Sequence, residues 1–127
     1  MICTPNQSII FSNIGADQRA EVEAVLADHG ILPIEAIDPL TRLSMACPAL
    51  PMCGLAITEA ERRMPDTILR VRALLDGEGL GDEEIMMRMT GCPNGCARPY
   101  MAELAFVGDG PDSYQVSMPI SLLFYCR

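Results

Sequence analysis

Hydrophobic positions along the chain fall into short runs of two different periods. In "QSIIFSNI" the β-branched and aromatic residues cluster without helical spacing, which predicts a strand over about Gln7 to Ser12. "ADQRAEVEAVLADHG" follows with Val22, Val25 and Leu26 at helical spacing and Gly30 as the stop. Ala56 to Arg63 and Asp66 to Asp76 both read as helices. Pro65 falls near the start of the second, in which Ile68, Leu69, Arg72 and Leu75 recur three and four apart. Gly77 and Gly79 end that run, and after "GEGLGD" the segment "EIMMRMT" reads as a short buried strand. "AELAFVG" predicts another strand before the turn "GDGPD". Periodicity alone therefore supports a mixed α and β domain. No repeat, low-complexity tract or long linker interrupts it, and a possible seam lies near Asp38 to Leu43.

Composition narrows the function classes. The 127 residues are half apolar and one-fifth charged, the size of one ordinary domain. Nine Lys and Arg against seventeen Asp and Glu give a formal charge of -8, which repels nucleic-acid phosphates and anionic lipid; no nucleic acid and no membrane partner is expected. No run of eighteen apolar residues occurs, and "MICTPNQSII" has neither a basic segment nor a small-residue cleavage site, so the chain reads as soluble and intracellular. Six cysteines in a reducing compartment are more often metal ligands or redox groups than disulfide partners.

Four of the six form two close pairs. Cys47 and Cys53 in "MACPALPMCGLAITEAERR" are separated by five residues, Cys92 and Cys96 in "MTGCPNGCARPYMAEL" by three, and thirty-eight lie between Cys53 and Cys92. Four soft thiolates without a nearby imidazole suit zinc or an iron-sulfur cluster. The five-residue gap is loose for a zinc knuckle, whereas a cubane cluster accepts wider, unequal spacings. Pro48, Pro51 and Pro93 stiffen the loops, while Gly54, Gly91 and Gly95 let backbone approach closely. Spacing alone leaves zinc, a cluster, disulfides and unconnected buried thiols all open. Cys3 and Cys126 stand alone near the ends and read as small buried apolar residues. His29 reads as a helix-terminal residue, Met86, Met87 and Met89 as core, and "TEAERR" as a solvated helical face with local ion pairs. No nucleotide loop, hydrolase elbow or catalytic triad pattern is present.

The segments "MACPALPMCGLAITEAERRMPD" and "RMTGCPNGCARPYMAELAFVGDGPDSYQV" closely resemble the siroheme and iron-sulfur region of assimilatory sulfite reductase, especially its ferredoxin-dependent form. The resemblance runs from about Cys3 to Val116 and includes the thirty-eight-residue gap. It implies an α/β (mixed α+β) fold, a mixed sheet packed by helices, in three regions: 1–40 as the end of a ferredoxin-like half-domain, 41–116 as part of the nitrite/sulfite reductase [4Fe-4S]-siroheme domain, and 117–127 as a divergent tail. "TGCPNGCARPYMAEL" looks like the sulfite branch, and nitrite relatives tend to carry a serine-containing thiol loop.

By this resemblance Cys47, Cys53, Cys92 and Cys96 match the four ligands of a [4Fe-4S] cluster, and Cys96 also matches the thiolate bridging to the siroheme iron. Asn94 and Arg98 match positions lying against the cofactors in a supporting role. The implied activity is six-electron reduction of sulfite to sulfide with electrons from ferredoxin, and the implied location is cytoplasm or plastid stroma. The family enzyme is several times longer, and the basic residues gripping its substrate come largely from other regions, so no catalytic residue is expected in this chain and the remaining part of the reductase is an expected partner. Two departures stand out: Gly54 replaces the usual proline after the second cysteine, and "SMPISLLFYCR" replaces the family's tryptophan-leucine-glycine-glycine continuation. A non-catalytic fragment, a stand-alone cysteine-ligated metal protein and a nitrite reductase fragment are the alternatives.

Overall fold

A computed structural model describes residues 1–118, which divide between Asp38 and Pro39 into two units. The first carries an antiparallel hairpin, β1 (Ile2–Cys3) and β2 (Ile9–Ile10), then helix α1 (Arg19–Asp28). The strand expected over Gln7 to Ser12 shrinks to two residues because the turn consumes the rest. The Thr4 hydroxyl accepts from the Asn6 and Ser8 amides, and Gln7 sits at φ 59, outside strand geometry. The start of α1 is drawn back by Gln18, whose side chain accepts from the Gly15 amide, and its end is closed by Gly30 at φ +72. There the Ile31 amide reaches back to the Leu26 carbonyl at 2.9 Å, satisfying one of the helix's last acceptors. Cys3 is exposed here, against the expected burial, because a two-stranded hairpin has too little mass to cover it.

The second unit holds α2 (Pro39–Arg42), β3 (Met45–Ala46), α3 (Met64–Gly77), β4 (Met87–Thr90), β5 (Leu104–Gly110) and β6 (Ser113–Ser117). Its sheet runs β3-β4-β5-β6, parallel across the first three strands and antiparallel at the last pair. This is the expected mixed sheet. Met87 and Met89 are fully buried at its centre beside Leu40, Ala46, Ala49, Ala60 and Met64, and Ile68, Val71 and Leu75 of α3 pack onto that cluster. The buried stripe of α3 thus follows Met64, Ile68, Val71 and Leu75, at helical spacing, and leaves Leu69 in solvent at 68% exposure.

One expected helix is absent. Ala56 to Arg63 is irregular, because its polar groups are engaged elsewhere: the Ile57 and Thr58 amides both donate to the Gly91 carbonyl, and the Ala60 amide to the Glu59 carboxylate. Long-range partners override local helical preference here. β6 has no counterpart among the expected elements. It completes a hairpin with β5 across a turn in which Asp112 takes φ 51. No helix among the described residues is long and apolar enough to cross a membrane.

Candidate metal and cofactor site

β3 and β4 lie side by side and parallel, with Met45 opposite Arg88 and Ala46 opposite Met89, so they end at the same level. Cys47 follows β3 directly, and Cys92 comes just after β4. The carboxyl end of a parallel sheet, where adjacent loops diverge, is where α/β units form binding crevices. Here both loops carry thiols, and Cys47, Cys53, Cys92, Cys96 and Asn94 all line one cavity of about 680 Å³. Pro48, Ala49, Met52, Leu55 and Ala56 make much of the remaining wall, so the cavity is largely apolar, with Glu61 as its carboxylate.

Gly91 joins the two loops. Its amide donates to the Cys47 Sγ at 3.3 Å, and its carbonyl accepts from the Ile57 and Thr58 amides at 2.8 and 3.1 Å. A Cβ at this position would lie 2.5 Å from the Thr58 carbonyl oxygen and 2.6 Å from the Ala49 Cβ, so only glycine permits the approach. Gly108 on β5 backs the same point, since a Cβ there would lie 2.6 Å from the Gly91 oxygen. The Cys47 amide meanwhile donates to the Met89 carbonyl at 3.1 Å, and the Cys53 amide to the Ala49 carbonyl at 2.8 Å.

The four thiols differ in depth: Cys92 is buried, Cys47 and Cys53 are partly covered and Cys96 is exposed. Among the described residues no group of three His, Cys, Asp or Glu side chains that could hold a single metal ion is formed. One polar atom at the wall is orphaned. The Thr90 hydroxyl, 1% exposed, has no hydrogen-bond partner among the described residues, and Thr90 lines the cavity.

Arg98 is placed differently from the thiols. It does not line the cavity and takes a left-handed conformation, φ 54 and ψ 53, before the short turn Pro99–Met101. Its guanidinium reaches the Met45 sulfur at 3.8 Å. Beneath it Arg88, 7% exposed, donates to the Ala97 carbonyl at 3.0 Å and approaches the Met86 sulfur at 3.3 Å. Burial, and then the nearby Arg98 charge, hold the Arg88 guanidinium below its usual pKa. His29 lies in the first unit, its Nδ1 against the Val25 carbonyl at 2.8 Å, as a helix-terminal residue would. Cys126 lies outside the described residues.

The charge run "TEAERR" hides residues that the sequence pattern does not single out. Arg62 Nη2 donates to the Pro48 carbonyl at 2.8 Å and also to that of Leu50, while its Nε donates to Glu59 Oε2 at 2.5 Å. The expected local ion pair is thus present, on an irregular segment rather than a helix. It holds the Glu59 carboxyl below the usual carboxylate range, chiefly through the Arg62 hydrogen bond. Nothing in the i,i+3 spacing of Glu59 and Arg62 signals their link to a loop more than ten residues away.

No family model matches the chain. It is 53% identical over 91% of its length to the sulfite reductase [ferredoxin] of Synechococcus elongatus, of which it covers 19%. It is 50% identical over 89% of its length to the sulfite reductase [NADPH] hemoprotein beta-component of Staphylococcus saprophyticus, covering 20%, and 53% identical over the same share to that of a Methylobacterium strain, covering 18%. The chain therefore spans about a fifth of the length of the curated relatives it matches. Its fold is similar to the NirA protein of Mycobacterium tuberculosis, with a TM-score of 0.66 and 25% identity over 91% of this chain and 22% of that one.

Proposed function

We propose that the chain is part of a sulfite reductase, on its likeness to such enzymes over about nine-tenths of its length, and that this part would hold a [4Fe-4S] cluster through Cys47, Cys53, Cys92 and Cys96 and present it to siroheme. The observation that carries this reading is the single apolar cavity lined by all four thiols, drawn from two loops that Gly91 ties together. A tetrahedral zinc site needs every sulfur about 2.3 Å from one point. Thiols spread round a cavity suit a body several atoms across, such as a cluster. The orphaned Thr90 hydroxyl favours the same occupant, because a buried donor without a partner is costly unless a bound group accepts from it.

When bound, the cluster and siroheme supply the electron-transfer and substrate-reducing chemistry. The chain's own residues do the positioning. The Gly91 amide donates to the Cys47 sulfur and so fixes its place, and buried Ala49 with Ala56 forms apolar wall beside the thiols. Cys96, the exposed thiol, is the ligand turned outward and is assigned to both cluster and siroheme. Asn94 at the cavity wall and Arg98 beside Met45 are assigned to the siroheme side. Sulfite is the substrate of the complete enzyme and ferredoxin its donor, on the likeness to the Synechococcus enzyme. With a formal charge of -8, this chain offers little to an acidic ferredoxin, and that docking surface belongs to the remaining part of the reductase.

The test is anaerobic reconstitution of the purified full chain with iron and sulfide, counting metal and acid-labile sulfide and recording the visible spectrum before and after siroheme is added. About four irons and four sulfides per chain are expected. Zinc, or no metal, refutes the assignment. Cys96→Ser is expected to alter both cluster and siroheme bands and Cys3→Ser neither, since Cys3 lies in the other unit.

A further inference from the structure

The geometry points to a clamp outside the thiol cavity: Arg62, fixed by Glu59 and through it by Tyr114, is a positioning residue that holds the Cys47–Cys53 arm in place. Arg62 does not line the cavity. Its guanidinium grips the arm from behind, donating to the carbonyls of Pro48, the residue after Cys47, and of Leu50, the middle of the arm. Glu59 takes the Nε–Nη2 edge of the fork in two contacts, Nε to Oε2 at 2.5 Å and Nη2 to Oε1 at 2.9 Å, and the two carbonyls share the outer side of the same Nη2. Arginine offers Nε–H and two Nη2 protons in one rigid plane, so Nε and one Nη2 proton can meet a carboxylate while the second Nη2 proton is shared between the two carbonyls.

The clamp is anchored in the sheet. The Tyr114 hydroxyl on β6 donates to the Glu59 carbonyl at 2.5 Å and accepts from the Thr58 hydroxyl at 3.4 Å, while Thr58 is 2% exposed. The Glu59 carboxylate is held in turn by the Ala60 amide at 2.9 Å. A continuous path therefore runs from the β5–β6 hairpin through Tyr114, Glu59 and Arg62 to the first thiol arm. Among the described residues Arg62 makes no hydrogen bond to the Cys92–Cys96 arm; that arm is tied at its start by the Ile57 and Thr58 amides on the Gly91 carbonyl and at its end by the Arg88 hydrogen bond to the Ala97 carbonyl. The two arms meet at Gly91, but the Arg62 contacts fall on the first arm alone, so loss of the clamp should loosen the Cys47–Cys53 arm more than the other.

This inference rests on the cluster assignment for its purpose but not for its test. In the metal-free full chain, alkylation of each cysteine is timed by mass spectrometry for wild type, Arg62→Gln, Arg62→Lys and Tyr114→Phe. Arg62→Gln is expected to speed modification of Cys47 and Cys53 by roughly three- to tenfold, the weight of one charge-assisted hydrogen bond at a half-exposed site. Cys92 and Cys96 are expected to keep their rates. Arg62→Lys should restore part of the protection, through its charge and the donors of one nitrogen. Tyr114→Phe keeps Arg62 and should move the same two thiols by a smaller factor; it carries the test should Arg62→Gln fail to fold. Unchanged rates, or an equal rise at all four thiols, overturn the proposal. Iron and sulfide counts on the same variants report the cluster assignment separately: a wild-type chain that takes up no iron while its thiols respond selectively defeats the assignment and leaves the clamp.

Discussion

Adding one methyl group at Gly91 should do more damage to the thiol site than any comparable change in its loops. In Gly91→Ala the new carbon is placed 2.5 Å from the Thr58 carbonyl oxygen, 2.6 Å from the Ala49 Cβ and 3.2 Å from the Ala56 Cβ. The first two lie well inside normal contact, and the Thr58 oxygen is backbone that cannot rotate away. Overpacking of this kind costs about 1–3 kcal/mol. Relief requires the two loops to part, which strains the bonds from Ile57 and Thr58 to the Gly91 carbonyl, each worth about 1 kcal/mol. The sum, about 3–5 kcal/mol, is a large share of the roughly 5–15 kcal/mol by which domains are stable. Gly54→Ala is the control, because a Cβ there meets nothing within 4 Å although the residue lines the same cavity. Urea unfolding of the full chain followed by far-UV circular dichroism, with iron uptake on the same samples, compares the two. Gly91→Ala should be strongly destabilised and load poorly, and Gly54→Ala should stay within about 0.5 kcal/mol of wild type. A Gly91→Ala chain within about 1 kcal/mol of wild type that loads normally would falsify the junction role of Gly91.

Three further substitutions probe the same neighbourhood. Thr90→Val removes the unpartnered hydroxyl while keeping the shape, so the metal-free chain should gain about 1 kcal/mol in urea unfolding, whereas the reconstituted cluster should be reduced at a lower potential in spectroelectrochemistry; a destabilised metal-free chain would show that the hydroxyl has a protein partner. Arg98→Gly relieves a left-handed backbone, worth about 1 kcal/mol, and removes a charge repelling Arg88, so stability should rise while siroheme binding weakens; a fall in the melting midpoint contradicts this. Glu59 ionises below its ordinary range in the folded chain, so its contribution is fully present above about pH 4.3 and disappears as pH falls through the depressed value. The stability difference between wild type and Glu59→Gln, followed by acid titration, should therefore be constant near neutrality and close in strong acid; a difference that instead grows on acidification refutes the ion-pair account.

The parts of this fold legible in the sequence are those whose determinants are local. Ile68, Leu69, Arg72 and Leu75 announce a helix by their spacing, although the face it buries runs through Met64, Ile68, Val71 and Leu75, and "EIMMRMT" announces the buried strand realised as Met87–Thr90. Ala56 to Arg63 has the composition of a helix but spends the Ile57 and Thr58 amides on Gly91, more than thirty residues away in the other thiol loop, and no local pattern encodes that. β6 carries a single partly buried aromatic, Tyr114, and is otherwise exposed, so it shows little of the alternation by which a strand is read. The cysteine pairs are visible as spacings. Their common cavity, however, depends on the register of β3 against β4 and on the room left by Gly91 and Gly108. Arg62 is the sharpest case: in sequence it is one charge in a polar run, and in the fold it binds two carbonyls of the thiol arm.

Depth within the cavity distinguishes four cysteines that spacing treats alike. Cys92 is 9% exposed beside the sheet, whereas Cys96 is exposed at the far side of a turn in which Gly95 takes φ +67. That glycine turns the chain sharply enough to bring the second thiol back to the same cavity at a different level, and a Cβ there would press the Tyr100 ring at 3.2 Å. A ligand shared between a cluster and a second cofactor must have one side free for each, a condition that exposed Cys96 meets and buried Cys92 does not. In the metal-free chain, alkylation should therefore be fastest at Cys96 and slowest at Cys92, with Cys47 and Cys53 between them. After reconstitution with iron and sulfide, all four should be protected while exposed Cys3, in the other unit, keeps its rate. If Cys92 reacts as fast as Cys96 before reconstitution, the two are equivalent and the shared-ligand role loses its structural basis; if Cys3 is protected along with the rest, protection reflects aggregation rather than ligation.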